Sequence, residues 1–194
     1  MTMAPPLTVD GPAAPLEVLE PRSLTLPLVF SSPPSGAHYP DAFVADSRLD
    51  VDSLRKSEDC YVDELFASAP ELGAPLLRAL YPRAFLDVNR EPYELDPAMF
   101  ADALPKHANT TSTRVAAGLG TIARIVATRR EIYRRKLTYA EAEHRINEVY
   151  KPYHTALRGL VRRAVERFGL CLLIDCHSMP STGLPLNTGL RTSE

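Results

Sequence analysis

A chain of 194 residues, 45% of them hydrophobic, holds enough apolar material for one substantial core and is short for two. Its formal charge of −2 at pH 7 excludes the concentrated positive charge that a phosphate backbone demands, so no nucleic acid is expected and a small metabolite suits the chain better. Its three cysteines, Cys60, Cys171 and Cys176, form no CxxC pair and suit a reducing, cytoplasmic setting.

Residues 1–20 are rich in Pro and Ala without an apolar period and read as a disordered leader, leaving 21–194 as a single domain. The first residues lack the basic and apolar regions of a secretory signal. No apolar stretch is long enough to cross a bilayer, so no membrane association is expected. The run 26–32 reads as a buried strand that opens into a turn-rich loop at Pro33, Pro34, Ser35 and Gly36. Ser57, followed by Glu58 and Asp59, predicts an N-cap and a helix through Val62, Leu65 and Phe66. Pro70 interrupts it, and helical spacing resumes over 73–80 until Pro82.

The segment 84–88 reads as a second strand, and 91–113 as a long irregular excursion. Basic residues from Arg124 to Lys136 alternate with isoleucines and Val126, the pattern of the charged face of an amphipathic helix. Thr138 with Glu141 three residues on makes a capping-box pattern, and Ile146, Val149, Tyr153, Leu157, Leu160, Ala164 and Phe168 then keep a helical period. Pro152 predicts a kink in this helix and Gly169 its left-handed cap, after which 170–174 reads as a buried strand. Strands alternating with helices predict a mostly parallel sheet flanked by helices.

In such sheets ligands bind beyond the carboxyl ends of strands, where three polar clusters fall: 32–39, 87–90 and 175–178. His177 can offer an imidazole to a metal or satisfy a turn by hydrogen bonding. Asn89 and Arg90 suit a carboxylate ligand, although Arg90 can equally pair with Asp87 or Glu91. Glu58, Asp59, Asp63 and Glu64 offer either a metal-ligating carboxylate or a solvated helix start. A Ser178 or Cys176 nucleophile is disfavoured, because neighbours in an extended segment point to opposite sides and no Gly-x-Ser-x-Gly elbow is present.

Six segments taken in order resemble the N-formylglutamate amidohydrolase family. They carry Pro34, Gly36 and Tyr39; Asp59, Asp63 and Leu65; Arg83, Asp87, Asn89 and Arg90; Arg114 and Gly120; Pro152 and Leu157; and Asp175, His177 and Ser181. The resemblance spans about 26–181 and implies an α/β fold like that of zinc carboxypeptidases and aspartoacylase, with one Zn2+ at the strand ends. It implies His177 and Asp59 as metal ligands, with Asp63 as the alternative carboxylate. It also implies Asn89, Arg90 and Arg83 as substrate-binding residues, assisted by Arg114, and hydrolysis of N-formyl-L-glutamate or a related N-acyl amino acid to formate and L-glutamate, a late step of histidine degradation. No catalytic residue is singled out.

Two departures from the family pattern stand out. Pro34 occupies the place of the family's first zinc-binding histidine, with His38 four residues on as a weak substitute, and 182–194 is unlike the family's continuation. The domain is therefore expected to be incomplete at its C-terminus, with an open strand edge, either active or reduced to a carboxylate-binding fold. Self-association that covers the edge stays open.

Overall fold

The computed structural model describes residues 14–179. A four-stranded sheet is ordered β1-β3-β2-β4, with β1 at Leu16–Leu19, β2 at Leu28–Ser32, β3 at Leu76–Ala79 and β4 at Leu172–Asp175. β2 runs parallel to both β3 and β4, placing Phe30 opposite Leu76 on one side and Ile174 on the other. β1 is antiparallel to β3. The mixed α/β class and the parallel centre match the sequence reading. Leu16–Leu19, expected to lie in a disordered leader, form a strand instead, because Leu16 and Val18 pair with Ala79 and Leu77 and pack on the core.

The short helices α1 (Asp41–Asp46), α2 (Val51–Arg55), α3 (Val62–Leu65) and α4 (Thr113–Ala116) lie in the connections. One long helical column follows: α5 (Tyr139–Arg145), a π-helical turn (Ile146–Tyr150) and α6 (Lys151–Phe168). Thr138 and Glu141 form the expected reciprocal capping box, and Gly169 closes α6 at φ 79°. Pro152 has no N–H to give and its ring crowds the preceding turn, and the looser π turn ends two residues before it at Tyr150. From this column Ile146, Val149, Tyr153, Leu160 and Ala164 pack on Val29, Leu77 and Ala79 of the sheet.

A second core gathers Tyr39, Phe43, Leu54, Leu95, Phe100, Ile122, Ile132 and Leu137 from the connecting segments and their short helices. Arg145 joins the two cores: its guanidinium donates to the Phe85 carbonyl and the Tyr133 hydroxyl and lies 4.3 Å from the Phe85 ring centroid. The rings of Phe43 and Tyr133 complete an aromatic enclosure around this cation.

Several local expectations are corrected. Segment 73–80 contributes strand β3 instead of helix, because its Leu-Leu pair is buried in the sheet's interior and so short an apolar run fits either period. Segment 84–88 alternates as a strand would, with Ala84, Leu86 and Val88 buried. It stays outside the sheet because Phe85 and Leu86 N–H turn back to the Pro82 carbonyl and Asp87 N–H bonds to Thr121. Ser57 caps nothing, since α3 starts at Val62 after Tyr61 adopts a left-handed φ of 65°. The segment 124–136 forms no helix. Its arginines reach separate partners instead, Arg124 to Asp96, Arg130 to Ser53, Arg134 to the Ser47 carbonyl and Arg135 to Asp46 and Glu141.

β4 was expected to be buried, yet Leu172 and Leu173 are 55% and 43% exposed and its outer edge has no partner strand among the described residues. No described helix is long and apolar enough to cross a membrane.

Arg145→Lys keeps the charge but loses the planar fork and ring contacts, and is expected to cost about 2 kcal/mol in urea unfolding. Hydrogen bonding from Arg135 and from Thr138 holds the Glu141 carboxyl down at about 2. The folded pKa is thus depressed, and the stability that Glu141 contributes is present above the ordinary carboxylate range and lost as pH falls towards 2. The stability gap between wild type and Glu141→Gln should therefore close across that window.

Candidate functional site

The site begins where β2 and β4 end. Cys176 N–H donates to the Ser31 carbonyl at 2.7 Å, carrying the β2–β4 ladder one residue beyond the strand. Alternation along this extended backbone turns Cys176 inward, where it is 2% exposed, and His177 outward. Burial pushes the Cys176 thiol up to about 11, which removes it as a nucleophile near neutral pH.

His177 sits between two carboxylates. Its Nδ1 is 2.9 Å from Asp59 Oδ2 and its Nε2 is 3.0 Å from Asp175 Oδ2. A neutral ring can donate to one of them, and a protonated ring to both. The Asn89 amide nitrogen lies 3.0 Å from His177 Nε2 and donates to Asp175 Oδ2 at 3.1 Å, so it braces the same edge of the ring. Asp59, 7% exposed, also accepts the Ser178 N–H at 3.2 Å, which ties the segment after β4 to the loop before α3.

Positive charge converges on the opposite side of Asp59. Arg83 lies 3.9 Å from Asp59 Oδ1 and donates to Asp87 Oδ2 at 2.9 Å. Arg90 pairs with the same Asp87 oxygen at 3.6 Å and donates to the Leu119 carbonyl. Asp87 Oδ1 accepts Asn89 N–H, so this buried carboxylate organises both arginines and the turn that carries the second. The pairing of Arg90 with Asp87, one of the two readings open from sequence, is present. Arg83, Asp87, Arg90, Asp59 and Ser178 line a cleft of about 500 Å3 whose remaining wall includes Leu119, Ala123, Ile125 and Met179.

The other candidates fall elsewhere. Asp63 is bound to Arg78 at 3.1 Å, so of the two candidate ligands Asp59 is the one beside His177. Glu64 is exposed, and Arg114 pairs with Glu94 at 3.8 Å outside the cleft lining. Glu58 is no solvated helix start: Tyr39 donates to it at 2.5 Å and Arg55 at 3.1 Å, which fixes the floor of the cleft beside Asp59. Nothing in the residue pattern around Tyr39 pointed to that bond, which spans nineteen positions.

The loop after β2 decides the fit of a metal. Pro34 accepts the Asp59 N–H at 3.1 Å, so residue 34 does stand at the site, but with a ring that offers no donor. His38 cannot substitute: its N–H is held by the Leu80 carbonyl and its ring packs edge-on against Tyr81 at 5.1 Å. Asp175 faces the ring nitrogen opposite to that facing Asp59, so the two carboxylates do not share one coordination sphere with His177. A hydrolytic zinc takes three protein ligands and a water. Among the described residues no group of three His, Cys, Asp or Glu is placed to hold a metal ion.

The close approach of this loop to the strand-end turn rests on Gly36, whose Cβ, if present, would lie 2.2 Å from the Tyr81 carbonyl oxygen. Gly36→Ala is expected to lower stability by about 2–3 kcal/mol and to separate Pro34 from Asp59, checked by urea unfolding and by loss of protection of the Asp59 amide.

Comparison with known proteins bears on this geometry. The family profile described as N-formylglutamate amidohydrolase matches residues 26–193. N-formylglutamate deformylases of Pseudomonas putida and Pseudomonas aeruginosa are 28% and 29% identical over 80% and 85% of the chain. The chain spans only 53% and 56% of those relatives. The crystal structure of an N-formylglutamate amidohydrolase from Ralstonia eutropha superposes with a TM-score of 0.80 at 39% identity, covering 86% of this chain and 59% of that one. An Agrobacterium tumefaciens gene product shares the fold at a TM-score of 0.60 and 15% identity.

Proposed function

The chain belongs to the N-formylglutamate amidohydrolase family, and from that membership we propose that its cleft takes N-formyl-L-glutamate, or a related N-acyl amino acid or dicarboxylate, and serves hydrolysis to formate and L-glutamate. One observation carries the reading: Arg83 and Arg90 line a single cleft with Asp59, at the edge of which stand His177 and the Asn89 amide. Two guanidinium forks in one cleft suit a substrate with more than one carboxylate. Asn89 would join Arg90 in holding one of them. In the hydrolysis, water oxygen adds to the formyl carbon, the C–N bond breaks, and the leaving nitrogen takes a proton. These products would place the reaction late in histidine degradation, in the cytoplasm.

Zinc is the family-implied cofactor, with His177 and Asp59 as its ligands on this reading. The third donor is lacking at Pro34. That proline favours a second reading, in which the chain retains carboxylate recognition with little or no turnover.

Calorimetric titration with N-formyl-L-glutamate, paired with a formate-release assay, separates the two. Binding is expected in wild type and weaker by about 10- to 100-fold in Arg90→Ala, the loss of a charge-assisted pair. Absence of both binding and formate release would overturn the proposal. Pro34→His is expected to raise zinc affinity at least tenfold and to increase formate release. Stoichiometric zinc in wild type with no gain in that variant would sink the second reading.

A further inference from the structure

The turn that carries Asn89 and Arg90 belongs to no sheet or helix, so its carbonyls need partners from outside the backbone ladders. Each finds a side chain. His154 Nε2 meets the Val88 carbonyl at 2.8 Å, Arg90 Nη1 donates to the Asn89 carbonyl at 3.0 Å, and the Tyr150 hydroxyl donates to the Arg90 carbonyl at 2.7 Å. Because a carbonyl only accepts, His154 carries its hydrogen on Nε2.

From this geometry we infer that Tyr150 and His154 are positioning residues, a two-point clamp by which the helical column holds the Asn89–Arg90 pair over the cleft. This rests on the carboxylate-binding role proposed above for that pair.

Three features of the column make the clamp rigid. Tyr150 and His154 are four residues apart and so share a helix face, and their rings lie 4.2 Å apart between centroids. The π turn ends at Tyr150 and regular α-helix resumes at Lys151, so the phase between Tyr150 and His154 is tied to that irregularity. The neighbouring Tyr153 is buried and bonds through its hydroxyl to Ser31 of β2 at 2.8 Å, which anchors the same helical turn to the strand whose end forms the site. The column thus fixes both the end of β2 and the turn that carries Arg90. Displacement of either carbonyl would swing the Arg90 fork away from the Asp87 carboxylate and the Leu119 carbonyl that orient it.

The test uses the full chain labelled with 15N, without and with N-formyl-L-glutamate. Tyr150→Phe deletes one hydroxyl and preserves the ring; His154→Leu deletes the other donor; His154→Gln keeps an amide N–H near the position of Nε2. In the ligand-free protein, Tyr150→Phe and His154→Leu are each expected to speed hydrogen exchange at Arg90 Nε and at the Asn89 amide at least tenfold, while amides of Val29 and Leu160 keep their protection. His154→Gln is expected to restore exchange to within about threefold of wild type. Unchanged exchange at Asn89 and Arg90 in both deletion variants overturns the clamp, and so does a uniform rise that includes Val29 and Leu160, which marks a structural role alone. With ligand, affinity should fall at least tenfold in both deletion variants. A wild type that fails to bind the ligand overturns the substrate reading while leaving the exchange result to decide the clamp.

Discussion

The parallel pairing of β2 with β4, continued by the Cys176 N–H to Ser31 carbonyl bond, is the constraint on which the site depends. Without that last rung nothing fixes which of Cys176 and His177 faces the core. With it, the thiol is buried and the imidazole is delivered to Asp59, which lies more than a hundred positions earlier in the chain. Ser31 serves this junction twice, since its carbonyl takes the rung and its hydroxyl takes Tyr153. The strand ends and the long helical column are therefore locked at one residue.

Charge in the cleft is balanced by sharing. Asp87 serves Arg83 and Arg90 together, while Asp59 serves His177, the Ser178 amide and the far side of Arg83. Burying part of a guanidinium is tolerated only where a carboxylate or a carbonyl takes up its donors. The arrangement leaves both guanidinium groups at the cleft wall while their charge is partly neutralised from behind. A carboxylate ligand would meet forks already oriented, losing little freedom on binding. The loop after β2 is held close by the Gly36 approach to the Tyr81 carbonyl and by the Pro34 carbonyl, which accepts the Asp59 N–H, so Pro34 stands firmly beside Asp59.

Much of the scaffold was legible in the sequence where one local rule dominates. The capping box at Thr138 and Glu141, the helical period behind it and the Gly169 cap are set by contacts within a few residues, and each stands as read. The strands at 28–32 and 172–175 were marked by continuous apolar runs. Short amphipathic segments misled: 73–80 and 124–136 have spacings that suit a helix, but the first is claimed by strand pairing and the second by separate ion pairs with Asp96, Asp46 and Glu141. Propensity over so few residues is a fraction of the energy available from such tertiary partners.

By itself the sequence determined the family and the mostly parallel α/β scheme, because motif order and apolar periodicity are properties of the chain read locally. The family resemblance put Asp59 ahead of Asp63, but the residue types alone do not tell two aspartates four positions apart from each other. Only the tertiary structure separated them, since Arg78 on β3 captures one and His177 after β4 meets the other. It also decided that Arg145 stands inside an aromatic enclosure, that Asp87 joins both cleft arginines and that Tyr150 and His154 hold the Asn89–Arg90 turn. Each of these contacts closes a long loop of chain, and which long loops close is settled by the packing of all the elements at once, a quantity no local pattern encodes.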